Sequence, residues 1–259
     1  MTASYSPIPG VDVLTTAFPI PGMGLIPVNA FVLHGDEPVL VDTGATVDSD
    51  DFMAALRSVI DPAELRWLWL THTDFDHVGS LGRLLREYPD IRVATNFLGV
   101  GILSLHDPLP MDRVYLLNPG QQLELPDRTL TAFRPPVFDN PSTMGFYDDR
   151  TRALVSSDCF GAVLDAVPEA ASDLSDEQLR QGQVLWATVD APWLHDVDPD
   201  AFRRNLDTVN SFAPELVLSS HLPAASSAVL PRMLEALAAA PAHDPFFGPD
   251  QAMLESMMG

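Results

Sequence analysis

Four side chains of the kind that bind metal ions lie within six residues of one another, in the run Thr71-His72-Thr73-Asp74-Phe75-Asp76-His77. They are His72, Asp74, Asp76 and His77. On an extended segment, side chains at positions i and i+2 point to the same side, whereas neighbouring side chains diverge. One short loop with this pattern can therefore offer ligands to two adjacent metal ions. Such residues also occur together by chance in acidic loops. The run alone is therefore also compatible with a loop that binds no metal ion.

Two further candidate ligands each end a short stretch that is predicted to be a strand. Asp158 ends the run Val155-Ser156-Ser157-Asp158, and His221 ends the run Leu218-Ser219-Ser220-His221. Side chains in these positions lie at the edge of a sheet, which is where a site between two sheets needs them. Because a carboxylate has two oxygens, Asp158 could bridge two cations.

Hydrophobic periodicity and turn residues predict strands that alternate with helices. The candidate metal loop directly follows Leu65–Leu70, an apolar run that predicts a buried strand. The other predicted strands are Val11–Phe18, Ala30–His34, Pro38–Val41, Arg92–Thr95, Arg113–Leu117, Gln121–Leu125, Thr129–Arg134, Gly145–Asp148, Ala153–Ser156 and Leu216–Ser219. The predicted helices are Asp50–Ile60, His77–Tyr88, Asn96–Ser104, Ser175–Trp186, Pro199–Phe212 and Ser226–Ala240. This order suits one α/β domain over residues 1–259, although periodicity alone does not distinguish it from other α/β folds.

Composition excludes several classes of function. All 14 basic side chains are arginines, so a Schiff-base lysine and the lysine of a phosphate-binding P-loop are excluded. The net charge of −22 repels phosphate backbones, so we expect no nucleic-acid partner. One cysteine, Cys159, excludes an internal disulfide. The sequence has no apolar run long enough to span a bilayer and no signal-peptide pattern at its start, so we expect a cytoplasmic protein without a membrane partner.

The combination of these motifs resembles the metallo-β-lactamase superfamily. The family signature is His-x-His-x-Asp-His after a strand, and it is preceded by an element that matches Val41-Asp42-Thr43-Gly44. A later bridging aspartate and a final histidine match Asp158 and His221, and the resemblance extends from about Ala30 to about Pro223. It implies an αββα sandwich, in which two mixed sheets pack face to face with helices outside. It also implies that Asp42 orients the ligands by hydrogen bonding.

The departures from the superfamily signature indicate a particular branch. Asp74 stands where the second histidine is usual, and a carboxylate there resembles the oxygen-binding, flavodiiron-like proteins. The runs Ser156–Gly161 and Ser219–Pro223 are also similar to that branch. The third histidine of the family is missing, since the chain has no histidine between Asp107 and Asp158.

A segment with the family's spacing of prolines and methionine carries a replacement for that histidine. In Pro136-Val137-Phe138-Asp139-Asn140-Pro141-Ser142-Thr143-Met144, Asp139 stands in its place. The resemblance therefore implies Asp139 as a substitute ligand, with Asn140 as a weaker candidate. Phe138 cannot bind a metal ion.

Carried over to this chain, the resemblance predicts two ligand sets that share Asp158. One metal ion has His72, Asp74, Asp139 and Asp158. The other has Asp76, His77, Asp158 and His221, and Asp76 is the candidate catalytic residue. Two divalent ions are expected, and the oxygen-rich ligands favour iron, with manganese or zinc as the other choices. With two of the usual histidines replaced, a site that holds one ion or none stays open.

Three functions are compatible with such a site. The first is a di-iron protein that binds or reduces dioxygen or a related small oxidant. The second is a hydrolase that directs a metal-bound hydroxide at a small-molecule ester, thioester or lactone. The third is a non-enzymatic protein with a decayed site. For the first function, we expect an external electron-donor protein, since the sequence has no flavodoxin-like segment, and the resemblance suggests a homodimer.

Overall fold

Two mixed sheets form the centre of the computed structural model, which describes residues 1–258. The strands of the first sheet, which are adjacent in chain order, are β1 (Ala3–Ile8), β2 (Val11–Ile20), β3 (Gly24–Leu33), β4 (Val39–Val41), β5 (Trp67–Trp69), β6 (Arg92–Thr95) and β7 (Val114–Leu116). The strands of the second sheet, in chain order, are β8 (Gln122–Leu125), β9 (Arg128–Phe133), β10 (Gly145–Asp148), β11 (Ala153–Val155), β12 (Leu216–Leu218) and β13 (Ala225–Ser226). The helices are α1 (Ser49–Val59), α2 (Leu81–Glu87), α3 (Phe97–Leu103), α4 (Asp176–Asp190), α5 (Pro199–Ser211), α6 (Leu230–Ala239) and α7 (Gln251–Met258).

The pairing of the strands brings the ends of three of them to one edge. In the first sheet, β4 to β7 are parallel, and the candidate metal loop leaves the carboxyl end of β5. In the second sheet, β11 and β12 are parallel, and Val155 lies opposite Leu218. The segments that follow these two residues therefore run side by side, with Asp158 on one and His221 on the other.

Alternation of side chains along β5 shows how the layers form. Trp67 and Trp69 point between the two sheets, where Trp69 contacts Phe146 of β10 at a ring-centroid distance of 4.6 Å. Leu68 points to the other face and packs against α1 and α2. On the far side of the second sheet, α4, α5 and α6 cover a separate apolar layer. The architecture is thus the predicted αββα sandwich.

Several boundaries differ from the predictions. The helix predicted from His77 begins only at Leu81, because part of the backbone of residues 77–80 bonds to a neighbouring loop. Thr43 N donates to the His77 carbonyl at 2.7 Å, and Gly79 N donates to the Gly44 carbonyl at 2.8 Å. Helix α4 continues four residues beyond the predicted end, to Asp190. The helix predicted from Ser226 begins at Leu230, since Ser226 pairs with β12.

Within residues 1–258, no helix combines the length and the apolar character that crossing a membrane would require.

Candidate metal centre

The seven predicted ligands lie together at the edge where β5, β11 and β12 end. Ligand atoms approach within 4.8 Å of one another in four overlapping groups, which are His72–His77–Asp158, Asp76–His77–His221, His72–Asp74–Asp139 and Asp139–Asp158–Asp190. The histidines and Asp158 are buried, and the side chains of Asp74 and Asp76 are 47% and 32% exposed. The site therefore has a buried floor and an open side.

Asp158 lies at the centre of the cluster and divides it in two. Its Oδ2 is 3.3 Å from His72 Nε2. Its Oδ1 is 3.2 Å from both His77 Nε2 and His221 Nε2, and each of these nitrogens is 3.5 Å from Asp76 Oδ2. Two ligands that bind one ion at about 2.1 Å lie roughly 3.0 to 3.4 Å apart. The two oxygens thus face two separate ligand sets, which is the arrangement that a bridging carboxylate requires.

Unpartnered atoms at the centre fit a pair of cations. His72 Nε2, His77 Nε2 and Asp158 Oδ1 are buried without a hydrogen-bond partner. Burial of a polar atom without a partner costs about 1–3 kcal/mol, and more for a charged group. All three atoms point to the same place, and all three are metal-ligand atoms. Cations among them would satisfy each one, so the donor set fits metal ions.

A hydrogen-bond network holds His77 in a fixed orientation. The Oδ2 atom of Asp42 accepts a bond from His77 Nδ1 at 2.9 Å and another from Thr71 Oγ1 at 2.6 Å. Its Oδ1 accepts from the backbone N–H of Thr71 at 2.8 Å. Because the imidazole proton is held on Nδ1, the lone pair of Nε2 faces the centre. The prediction that Asp42 bonds to a ligand histidine agrees with this geometry.

The other two histidines are oriented in the same way. His221 Nδ1 donates to the Pro27 carbonyl at 2.8 Å, and His72 Nδ1 lies 3.1 Å from Ser157 Oγ. The loop that carries His221 is itself held by Asn29, whose amide donates to the carbonyls of residues 219 and 222 at 2.9 and 2.8 Å. Each ring therefore presents Nε2 to the centre.

The segment that replaces the missing histidine reaches the same centre. Asp139 contributes an oxygen to the group formed with His72 and Asp74. Its neighbour Asn140 does not take that place: the amide of Asn140 donates to Asp74 Oδ1 at 2.8 Å, and its Oδ1 accepts from Ser142. Asn140 thus holds a predicted ligand in position, and Asp139 is the residue placed beside the cluster.

Opposite charges shift the pKa values of the buried groups. Burial alone would raise the pKa of Asp158, but the three surrounding imidazoles hold it well below its ordinary value. Burial would also lower the pKa of His221, yet Asp158 and Asp76 raise it to about 9. For His72, burial and the charge of His77 together lower the pKa. Asp158 and His221 therefore stabilise each other's charged forms.

On the opposite side, carboxylates crowd one another. Partial burial, followed by the charges of Asp158 and Asp74, raises the pKa of Asp139 to about 7, although this residue is still exposed at the surface. Burial, followed by the charges of Asp158 and Asp139, raises the pKa of Asp190 to about 9. Such crowding is unfavourable without a cation and favourable with one.

The open side of the site leads into an apolar pocket of about 770 Å³. Asp74 and Asp76 line this pocket, and its walls also include Ile26, Phe75 and Trp186. A small ligand can therefore approach the cluster from this side.

Three residues at the site were not predicted. Asn29 is a single polar residue within an apolar strand, which is a usable signal. Asn140 was considered only as a ligand. Asp190 lies beyond the predicted end of its helix, although Pro192 marks a later helix end.

Comparison with known proteins shows which family this chain belongs to. A family model described as "ODP family beta lactamase" matches residues 26–212, so the chain belongs to this family. A nitric oxide reductase of Moorella thermoacetica is 26% identical over 157 residues, which is 61% of this chain and 38% of the relative.

Solved structures share the fold at low sequence identity. The rubredoxin oxygen:oxidoreductase from Desulfovibrio gigas has a TM-score of 0.79 and 19% identity, over 94% of this chain and 63% of that chain. A variant of the flavo di-iron protein from Thermotoga maritima has a TM-score of 0.78 and 20% identity, over 96% of this chain and 64% of that chain. The fold is therefore the metallo-β-lactamase fold of flavodiiron cores. The chain spans less than half the length of the curated relatives it matches, with 48% and 38% for two of them.

Proposed function

We propose that this protein carries a dinuclear, carboxylate-rich iron centre that binds or reduces dioxygen or a related small oxidant. The observation that carries the proposal is the cluster of inward-facing, unpartnered imidazole and carboxylate atoms around Asp158. Membership in the family and the names of the relatives, which include a nitric oxide reductase and a rubredoxin oxygen:oxidoreductase, support the same function.

The ligand types favour iron or manganese over zinc. The proposed ligands comprise the four carboxylates of Asp74, Asp76, Asp139 and Asp158, together with three imidazoles. Four negative charges balance two divalent ions, and the imidazoles bind in their neutral form. Oxygen-rich ligand sets suit iron and manganese, whereas structural zinc sites more often use cysteine and histidine.

The chain's own residues define where the substrate binds. Bound iron would supply the electrons for reducing an oxidant. Asp76 is a proposed ligand that is still 32% exposed and lines the apolar pocket, so a substrate entering there meets it directly. This position supports Asp76 as the catalytic residue. The buried histidines keep the opposite side of the centre closed to water.

A reductase of this kind needs electrons from outside the described domain. We propose an external electron-donor protein in the cytoplasm as their source. We also propose a homodimer as the working form.

The first test is the metal content of the purified protein. Cells are grown without added metal, and Fe, Mn and Zn per chain are measured by mass spectrometry for wild type, Asp74→Ala and Asp139→Ala. The matched control is Asp90→Ala, at an exposed turn aspartate. About two Fe per chain in wild type and in the control, with less in both site variants, is the expected result. Two Zn per chain, or no loss in the site variants, would contradict the proposal.

The second test is the response to oxygen. The protein is reconstituted with Fe(II) under anaerobic conditions, and its absorption spectrum is recorded before and after dioxygen is added. We expect a new charge-transfer absorption and, with a chemical reductant present, consumption of oxygen. An unchanged spectrum together with hydrolysis of an ester, thioester or lactone would replace the proposal with a metallo-hydrolase.

A further inference from the structure

One face of helix α4 is directed at the metal centre. Gln183 donates from Nε2 to the Phe160 carbonyl at 2.9 Å, and Trp186 donates from Nε1 to the Asp158 carbonyl at 3.2 Å. The Trp186 ring also packs on His221, with 4.7 Å between centroids. Residues three to four positions apart share one face of a helix, so Asp190, the last residue of α4, follows on the same face.

The Asp190 carboxylate lies next to two proposed ligands. An oxygen of Asp190 falls within 4.8 Å of the ligand oxygens of both Asp139 and Asp158. Its Oδ2 atom is buried without a hydrogen-bond partner. Carboxylates this close repel one another, and a cation between them would remove that repulsion.

The sequence narrows what that cation can be. The chain has no lysine, so the choices are an arginine, a protonated histidine or a metal ion. The group that contains Asp190 consists of aspartates alone, and its other two members belong to the ligand set of His72 and Asp74. A metal ion bound by that set would therefore lie close to Asp190.

We propose that Asp190 is an additional ligand of the metal ion that His72, Asp74, Asp139 and Asp158 bind. Helix α4 thereby supplies a ligand to the half of the centre that lacks the family's third histidine. A fifth carboxylate also makes the ligands of this ion richer in oxygen, which favours iron or manganese over zinc. The inference rests on the proposed dinuclear centre, because Asp190 has this role only if that metal ion binds.

The experiment uses Asp190→Asn, which keeps the size of the side chain and removes its charge. The matched control is Asp196→Asn, the same change at an exposed aspartate six residues further along. Metal-free protein is titrated with Fe(II) under anaerobic conditions, and bound iron is counted after desalting. We expect two ions in wild type and in Asp196→Asn. In Asp190→Asn, one of the two ions should bind at least about tenfold more weakly, which is the lower end of the loss seen even for outer ligand-supporting groups.

A second readout separates a lost ligand from a damaged fold. In the metal-free protein, Asp190→Asn replaces a carboxyl group that is crowded by Asp139 and Asp158 with a neutral amide that can donate to them, so its melting temperature should equal or exceed that of wild type. With Fe(II) bound, its melting temperature should fall below that of wild type. This reversal of sign is not expected for a purely structural residue.

The possible outcomes keep the two proposals apart. Two tightly bound ions in wild type and equally tight binding in Asp190→Asn would overturn the role of Asp190 and leave the dinuclear centre intact. A lower melting temperature of Asp190→Asn in both the metal-free and the loaded state would also overturn it. A wild-type protein that binds no iron would refute both proposals.

Discussion

Replacing Asp42 by asparagine tests whether the hydrogen-bond network around the centre controls metal binding. In wild type, Asp42 accepts the His77 Nδ1 proton, which leaves Nε2 free to bind a metal ion. An asparagine amide can donate to Nδ1 instead, and the imidazole proton would then move to Nε2 and block it. Asparagine suits the position because residue 42 has φ of +58°, a left-handed conformation that asparagine tolerates.

The hydrogen bonds of Asp42 set the expected losses of metal affinity and of folding stability in Asp42→Asn. Changes to residues that support metal ligands weaken metal binding by about 10- to 100-fold, or about 1.4–2.8 kcal/mol. Asp42 also accepts two bonds from Thr71, and the loss of one charge-assisted hydrogen bond costs about 1.5–3 kcal/mol of folding stability. Both effects should appear in Asp42→Asn, the first by titration with Fe(II) and the second by urea denaturation of metal-free protein.

A second buried aspartate provides the control for general destabilisation. Asp148 is fully buried and accepts bonds from Arg128 at 3.0 Å and Thr151 at 2.6 Å, none of which belongs to the centre. Asp148→Asn should therefore destabilise the fold by a similar or larger amount and leave the metal affinity unchanged. The reasoning fails if Asp42→Asn binds both ions as tightly as wild type, or if Asp148→Asn loses them equally.

Three further predictions concern pH, packing and thiol reactivity. Metal-free protein should lose stability between pH 6.5 and 9, because the protonated form of His221, whose pKa is raised to about 9, stabilises the fold below 6.5 and is lost as the pH rises through 9. The shift in the pKa of His221 corresponds to about 3 kcal/mol of unfolding free energy, which urea denaturation at several pH values measures. The free energy should decline less steeply with pH in Asp190→Asn, because the raised pKa of Asp190 acts in the same direction in wild type. Gly79→Ala should destabilise the protein by about 1–3 kcal/mol, because the added Cβ would lie 2.3 Å from the backbone of the neighbouring loop. Gly101 faces open space on a helix, so Gly101→Ala should stabilise the protein by about 0.5–1 kcal/mol in the same denaturation assay. Cys159 is buried, and burial raises the pKa of its thiol, so the thiol should react with iodoacetamide only after unfolding. Rapid labelling of the native protein, measured by mass spectrometry, would contradict this packing.

The sequence predicts that the candidate ligands lie close together, because most of them directly follow predicted strands. The metal loop follows β5, and Asp158 and His221 follow β11 and β12, so the ends of three short strands account for six of the seven predicted ligands. Apolar runs that end in polar residues are a local signal, and the sequence contains it. Asp139 was predicted from a family spacing alone, since no strand ends beside it.

Other parts of the fold and site depend on contacts that no local pattern reveals. The strand β1 carries little apolar periodicity and forms by pairing with β2. The segment 77–80 directly precedes the apolar pattern of a helix, which led to its prediction as helical, but its backbone bonds to the loop of Thr43 and Gly44. Asp190 lies at the end of a helix whose apolar pattern ends earlier, and only tertiary packing directs it toward the centre.

Three residues in the loops around the site have a strained backbone conformation. Asp42, Ser157 and Phe160 all have positive φ, with values of +58°, +53° and +70°, although none is glycine. Each such conformation costs about 1–3 kcal/mol and persists only where the surroundings enforce it. Here the enforcing contacts are those that orient the ligands: Asp42 bonds to His77, and the carbonyl of Ser157 accepts from the backbone of residue 220, beside His221. The strain therefore belongs to loops that the two sheets hold in a ligand-binding geometry.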